Sequence, residues 1–519
     1  MSKASRYIVY GSELQQKVAT GIEKIYQVAK AAYGPGAGNA LLELPYGDPL
    51  VSRDGVTNVE KVFLEDAVEN MAARTIVQAS RKNNRKVGDG TTAVVILAYH
   101  LYQEAQKLIA AGHNRMEVAK LLEQTAVEVI KQLDEMKKPA DEDLVKHVSI
   151  VSSGDEAIGQ MIADVISEVG IDGGVTVEDF AGLGIYNELV DGFYFRKGFT
   201  SVNLINDPSN LESRHTNVDI LITEKRMNTT GDIAPILEKV IAAGGKGKEL
   251  ILVGDVSEEV LGVLLLNRMH GTISVTPIDL PIFGAMRSLA FEDLALLTGG
   301  GVLVAGANAS DFDIAMLGGA EKVTVNEFST TIIGGDGHAE DVKARVEELR
   351  QQLSEADSSI TVEALKERLA RLTGKVAIIR VGGATEIEQK EVKLRVEDAV
   401  CAVQAAIKDG IVPGGGVALE RIDINDFREA FSQPFCQLAE NAGYNVERAI
   451  WTLRETPTWH GYNLRKSPGN YIPEDLLEAG VIDPASVVKE VVQNATSVVS
   501  KLITVAVGVT YTDREQKHD

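Results

Sequence analysis

Gly88-Asp89-Gly90-Thr91-Thr92 carries the sharpest chemical signal in the sequence. Two glycines let the backbone approach a ligand closely and take up conformations closed to other residues. An apolar helical pattern starts just after Gly90, so the segment lies at a helix N-terminus. Unpaired N–H groups and partial positive charge there suit phosphate. Thr91 and Thr92 add hydroxyl donors. Asp89 is out of place against bare phosphate, but not if it holds Mg2+ that bridges phosphates. The same residues also make a plain helix cap, and on this segment alone the cap is the simpler reading.

Weaker signals lie elsewhere. Gly34-Pro35-Gly36-Ala37-Gly38 ends a helix and either folds over a nucleotide or is a turn. Arg53-Asp54-Gly55 follows a strand-like arm and reads as a hairpin turn. Pro413-Gly414-Gly415-Gly416 opens a helix and suits either an anion or a tight packing loop. No G-x-x-x-x-G-K-[ST] occurs; Gly244-Gly245-Lys246-Gly247-Lys248 lacks the spacing and the hydroxyl. No G-x-G-x-x-G opens a βαβ unit and there is no H-E-x-x-H, so a Walker-type ATPase, a dinucleotide enzyme and a zincin are unsupported. The eight histidines show no metal spacing.

The elements that must hold these residues can be read from periodicity. Residues 5–10 form a short strand, and Ser12 with Gln15 spells a capping box. Leu14, Val18, Ile22, Ile25 and Ala29 recur at helical spacing up to the stop at Gly34-Pro35. Residues 39–55 read as a hairpin around Pro45–Pro49. Helices follow over about 65–84, from Gly90 to Gly112, and over about 115–136. From about 190 to 335, short β-rich runs alternate with short helical runs, which signals an α/β domain. Residues 339–372 carry leucine and valine stripes between dense charges, as two antiparallel helices joined near 357–359 would. The strand VAIIRVGG and further helices complete the chain, and the polar end TDREQKHD is expected to be disordered. The order helical, α/β, helical points to a domain inserted into a helical one.

Composition sets the outer bounds. The 519 residues are too many for one core, so two to four domains are expected. A formal charge of −23 denies the chain the basic footprint of a nucleic-acid binder. Two cysteines, Cys401 and Cys436, are too few for a zinc cage or a disulfide framework, and a reduced, cytoplasmic setting fits. No leader is recognisable, and no run of 18 apolar residues suggests a membrane span.

Read jointly, the motifs resemble one family. The stretches AAYGPGAGNALL (31–42), VGDGTTAVVILA (87–98), IIRVGGATEIEQKE (378–391), RVEDAVCAVQAAIKDGIVPGGGVAL (395–419) and VIDPASVV (481–488) are similar to the group I chaperonins, and the likeness runs over nearly the whole chain. It implies a multidomain α+β fold: a mainly α-helical equatorial domain (1–135 and 409–519), a small α/β intermediate domain (136–190 and 377–408) and an α/β apical domain (191–376). It also implies ATP as cofactor with Mg2+ and K+, and self-association into seven-fold double rings. Partners would be unfolded proteins and a small separate lid, since 191–376 leaves little room for a built-in one. Nucleic acid and membrane are not expected partners.

By the same resemblance, Ala32, Tyr33, Gly34 and Pro35 form the loop over the nucleotide, and Arg53 stands where the family has lysine. Asp89 is the Mg2+ ligand; Gly90, Thr91, Thr92 and Ala93 cradle the phosphates. Gly415, Asn463, Leu464, Arg465 and Asp483 match the base and ribose contacts. Asp54 and Asp398 match the carboxylates that orient the attacking water. Phe199, Leu204, Leu237, Leu261, Leu265 and Leu266 match the polypeptide-binding face, although for VLGVLLLN a mixture of open and core positions is certain, because one helix cannot expose all those faces. Gly192 and Gly410 match hinges, with Lys375 where a glycine is usual. GPGAGN in place of two basic residues, a shortened 420–460, Asn203 at an aromatic position and no Gly-Gly-Met tail mark a divergent lineage. Beside an ATP-hydrolysing chaperone stands a non-enzymatic holdase of the same fold. A small-molecule kinase is disfavoured, since no acceptor pocket can be named.

Overall fold

The computed structural model describes residues 5–43, 50–52, 55–170, 173–208, 211–245, 249–282, 285–355, 359–466 and 471–512. The expected turn at 45–49, the site residues Arg53 and Asp54 and the polar end 513–519 lie outside the described residues. The chain divides into two compact units, Met1–Asp164 with Gly383–Asp519, and Val165–Gly382.

The first unit begins with strand β1 (Ser5–Tyr10) and helix α1 (Gly11–Ala31). Leu14, Val18, Ile22, Ile25 and Ala29 are buried at the helical spacing seen in the sequence. The capping box does not form. Tyr10, in extended backbone, is the N-cap, so Ser12 falls inside the first turn, beside the orphan N–H groups rather than ahead of them. Strands β2 (Ala40–Leu42) and β3 (Leu50–Ser52) pair antiparallel, as the hairpin requires. Then come α2 (Gly55–Glu60), α3 (Ala67–Val87), α4 (Thr91–Ala110), α5 (Arg115–Met136) and α6 (Glu142–Ser153), and α7 (Glu156–Val169) runs across the division after Asp164.

The second unit is built on one mixed sheet. Its strands are β4 (Gly174–Asp179), β5 (Ile185–Phe195), β6 (Ser213–Thr223), β7 (Glu249–Val253), β8 (Ser274–Ile278), β9 (Val302–Leu303), β10 (Gly318–Val325), β11 (Thr330–Gly335) and β12 (Lys375–Val381). They lie in the order β4-β12-β5-β11-β10-β6-β7-β8, with β9 also on β6. The helices are α8 (Thr230–Val240), α9 (Glu258–Met269), α10 (Ala285–Thr298), α11 (Ala339–Glu355) and α12 (Ser359–Leu372). Successive residues of a strand face opposite sides. Val218, Ile220, Ile222, Ile251 and Val253 meet α10 on one face, while Leu221, Leu250 and Leu252 meet α8 and α9 on the other. Both faces are therefore buried, which explains continuous apolar runs such as DILIT and ELILV. Gly192 and Lys375, read as hinge positions, lie in the regular β5–β12 and β5–β11 ladders, Lys375 opposite Asp191 and Gly192 opposite Ile333.

The remaining elements return to the first unit: α13 (Glu386–Asp409), β13 (Ile411–Pro413), α14 (Val417–Glu420), α15 (Arg428–Asn441), α16 (Val446–Arg454), β14 (His460–Gly461), β15 (Glu474–Asp475), β16 (Ile482–Pro484), α17 (Ala485–Thr504) and β17 (Val507–Thr512). Helix α17 is buried on most of its faces against α3, α4 and α5, and β17 pairs antiparallel with β1. The first and last thirds of the chain thus share one core.

In the second unit, α11 and α12 bury Val346 and Leu349 against Leu365 and Leu372, with Leu296 and Leu297 of α10 alongside. Arg368 of α12 reaches Asp293 of α10 through two hydrogen bonds, Nε to Oδ2 at 2.8 Å and Nη2 to Oδ1 at 2.6 Å, with both residues buried. Removing one partner strands a charge in the core. Arg368→Leu is expected to destabilise this unit by about 3–5 kcal/mol in urea denaturation. The double replacement with Asp293→Leu should recover most of that loss; a single variant as stable as the parent would contradict the reading.

Candidate functional site

A cavity of about 880 Å³ opens in the first unit. Every described residue assigned above to nucleotide or water lines it: Ala32, Tyr33, Gly34 and Pro35, then Asp89, Gly90, Thr91, Thr92 and Ala93, then Asp398, Gly415, Asn463, Leu464, Arg465 and Asp483. They come from stretches far apart in sequence, gathered because α4 and α17 share a core and α13 borders the same space.

Its floor is the break between α3 and α4. Helix α3 ends in a left-handed Gly88 (φ 72), whose N–H donates to the Asn84 carbonyl at 2.7 Å. Gly90 (φ 76) is left-handed as well and is the N-cap of α4, with no side chain capping that helix. A Cβ on Gly90 would stand 2.7 Å from Val491 and 3.0 Å from Val487. The plain-cap reading of Asp89 therefore fails. Its Oδ1 accepts from the N–H of Gly90 and its Oδ2 from the Ser152 hydroxyl at 3.3 Å, so the first-turn N–H groups of α4 are not spent on it.

Behind this floor lies a polar network. Asn83 donates through Nδ2 to the Asp89 carbonyl, and Ser80 donates to the Thr91 carbonyl at 2.9 Å. Asn494 of α17 donates to Asn83 Oδ1 at 3.1 Å, and Lys86 pairs with Glu490 one turn away. In a trans peptide the carbonyl and the following N–H point opposite ways. By holding the Asp89 carbonyl, Asn83 turns the Gly90 N–H toward the Asp89 carboxylate.

The other walls are held as firmly. Asn441 of α15 donates from Nδ2 to the carbonyls of Lys30 and Tyr33, at 2.7 and 2.8 Å, which fixes the loop after α1. Asp483 sits on β16 opposite Val412 of β13, next to left-handed Gly415 (φ 63). Asn463 accepts from the Arg465 N–H at 3.2 Å, and the Arg465 guanidinium donates to the Ile150 carbonyl at 2.9 Å.

Two carboxyl groups here are half-buried in the cavity wall. Burial pushes Asp89 above the usual carboxylate range, only partly offset by the Gly90 N–H and Ser152. Burial, then the charge of Asp89, pushes Asp483 up to about 7. The Tyr33 phenol is raised by burial and then by Asp483 and Asp89. A cation would relieve this strain. Among the described residues no cluster of three or more metal-ligating side chains exists. Mg2+ is commonly held by one or two carboxylates plus substrate phosphates, and Asp89 beside an uncapped helix start fits that mode.

Sequence reasoning did not single out Ser152, Asn441, Glu391 or Arg395, which also line the cavity. Glu391 and Arg395 were legible in principle, since they stand seven and three residues before Asp398 on α13, spacings that share a helix face.

Two apical assignments need correction. Leu204 and Leu237, read as part of an open binding face, are core residues at 1% and 3% exposure. Leu237 shares the inward face of α8 with Ile233, Ile236 and Val240, and Leu204 closes the same cluster from a 3-10 turn. On α9, Val260 and Leu264 point inward and Leu261 and Leu265 are partly covered. Leu266 and Met269 of α9 are exposed, Val202 is too, and Phe199 is half-buried.

The model of the TCP-1/cpn60 chaperonin family matches residues 25–507. Among solved structures, the chain is similar to the chaperonin gp146 from the bacteriophage EL 2 (Pseudomonas aeruginosa), crystallised in the presence of ATP-BeFx. In crystal form II the TM-score is 0.70 at 17% identity, over 98% of this chain and 99% of that one. Crystal form I matches over the same shares with a TM-score of 0.60.

The raised Asp483 has a consequence for stability. The folded chain holds that proton more tightly than the unfolded chain does, so the contribution is whole below 3.8 and is lost as pH rises through about 7. Without nucleotide, the thermal midpoint of the parent is expected to fall relative to that of Asp483→Asn as pH is raised across this interval. Parallel curves would contradict the assignment.

Proposed function

The chain belongs to the TCP-1/cpn60 chaperonin family, and from that premise we propose that it is an ATP-hydrolysing chaperone whose nucleotide lies in the cavity of the first unit. The observation that carries this reading is the uncapped start of α4 beside two half-buried carboxyl groups raised above their usual range, Asp89 and Asp483. In this reading the first-turn N–H groups of α4 and the hydroxyls of Thr91 and Thr92 bind phosphate oxygens. Asp89 would hold Mg2+, which would supply charge neutralisation of the phosphates. Asp483, with its value near neutrality, can both donate to and accept from ribose hydroxyls. Tyr33 to Pro35, Gly415 and Asn463 to Arg465 enclose the rest of the nucleotide. Asp398 orients the attacking water and receives its proton.

ATP turnover would then drive the binding and release of non-native polypeptide. The exposed apolar side chains Val202, Leu266 and Met269 of the second unit support this, since an apolar patch suits partners with no fixed shape. We further propose self-association into rings, with a small lid protein as partner. Two isolated two-stranded sheets support association. The β1–β17 pair exposes Tyr7, Ile8, Tyr10, Val507 and Val509, and the β2–β3 pair exposes Leu41 and Val51. A two-stranded sheet with a bare apolar face is marginal in water and gains from a partner.

Asp398→Ala is expected to cut steady-state ATP turnover by about a hundredfold or more while leaving ATP affinity intact. Phosphate release and equilibrium binding, measured side by side, decide it. Unchanged turnover would remove Asp398 from the reaction.

A further inference from the structure

Among the described residues, three cationic side chains line the cavity: Arg395, Arg465 and Lys466. Two of them are committed to the protein itself. Arg465 donates to the Ile150 carbonyl, and Lys466 reaches both carboxylate oxygens of Glu474 at 2.7 Å. Arg395 differs. Its Nε is buried and has no hydrogen-bond partner among the described residues. The surroundings make this unusual, because Glu391, Asp398, Asp89 and Asp483 line the same cavity. A guanidinium never sheds its charge, and a buried donor left unmatched is costly. The fold nonetheless places it on α13 three residues before Asp398, on the helix face that borders the cavity.

We propose that Arg395 is the receptor for the terminal phosphate of a nucleoside triphosphate and the group by which the site distinguishes triphosphate from diphosphate. The assignment rests on the nucleotide reading given above. The first two phosphates have the start of α4 and Asp89 with its cation. A third phosphate adds one more charge, in a cavity already rich in carboxylates, and needs a cation of its own. Arg395 presents planar N–H donors suited to phosphate oxygens, and a diphosphate leaves them unused. Asp398, on the same helix face, then stands beside the phosphate that water attacks, so recognition and hydrolysis share one element.

Titration calorimetry with Mg2+ present tests this on the full-length parent, Arg395→Ala and Arg395→Lys, using ADP and the non-hydrolysable β,γ-imido analogue of ATP. Arg395→Ala should weaken the analogue roughly ten- to a hundredfold, the loss of charge-assisted hydrogen bonds, and leave ADP affinity within about twofold of the parent. Arg395→Lys should recover part of the loss, since it keeps the charge without the fork. Unaltered ADP binding also reports that the variant is folded. Equal weakening of both ligands, or of neither, overturns the assignment of Arg395 and leaves the nucleotide reading standing. A parent that binds neither ligand overturns the nucleotide reading and the assignment with it.

Discussion

Two half-buried carboxyl groups, Asp89 and Asp483, set the terms for the cavity. Burial raises both above the usual carboxylate range, and the charge of Asp89 makes the ionisation of Asp483 harder still. The fold nonetheless fixes them. Asp89 is held between two left-handed glycines and clamped from behind through its carbonyl by Asn83, itself braced by Asn494 of α17. Asp483 is fixed by the β13–β16 ladder. Such unrelieved electrostatic cost is characteristic of a site that awaits a ligand of opposite charge. The uncapped start of α4 points to the same ligand from the other side, because it offers donors to anions. A cation joined to phosphates satisfies both halves at once, whereas either ion alone leaves one half unmatched.

Much of this was legible in the sequence where the signal was local. The break at 88–90 follows from glycines at the two positions where positive φ is required. The inward stripe of α1 and the paired stripes of α11 and α12 follow from helical spacing. What failed was of another kind. Ser12 offered good capping chemistry, but the strand preceding it carries on to Tyr10, and the helix starts too early for the serine to cap it. Leu204 and Leu237 matched a binding face by position, yet a helix packed on a sheet decides by angle which leucine is inside, and the apolar run alone does not fix that angle. The role of Asn441 could not be read at all, since it depends on α15 docking beside the loop after α1.

The site residues divide along the same line. Asp89 to Ala93 form a contiguous motif whose geometry is dictated by its own residues. Asp398, Arg395 and Glu391 reach the cavity only because the chain returns from the second unit and lays α13 along it. A helix supplied by a distant stretch can present a carboxylate for water and a guanidinium for phosphate together, at a spacing the helix itself enforces.

The central claim is that Asp89 holds a cation that joins the protein to the phosphates. The most direct test is calorimetric titration of ATP into the parent and into Asp89→Ala, each with Mg2+ and with EDTA. The account predicts that Mg2+ tightens ATP binding to the parent and that this gain is lost in the variant. An Asp89→Ala protein that binds Mg2+-ATP as tightly as the parent, with the same dependence on Mg2+, would contradict it.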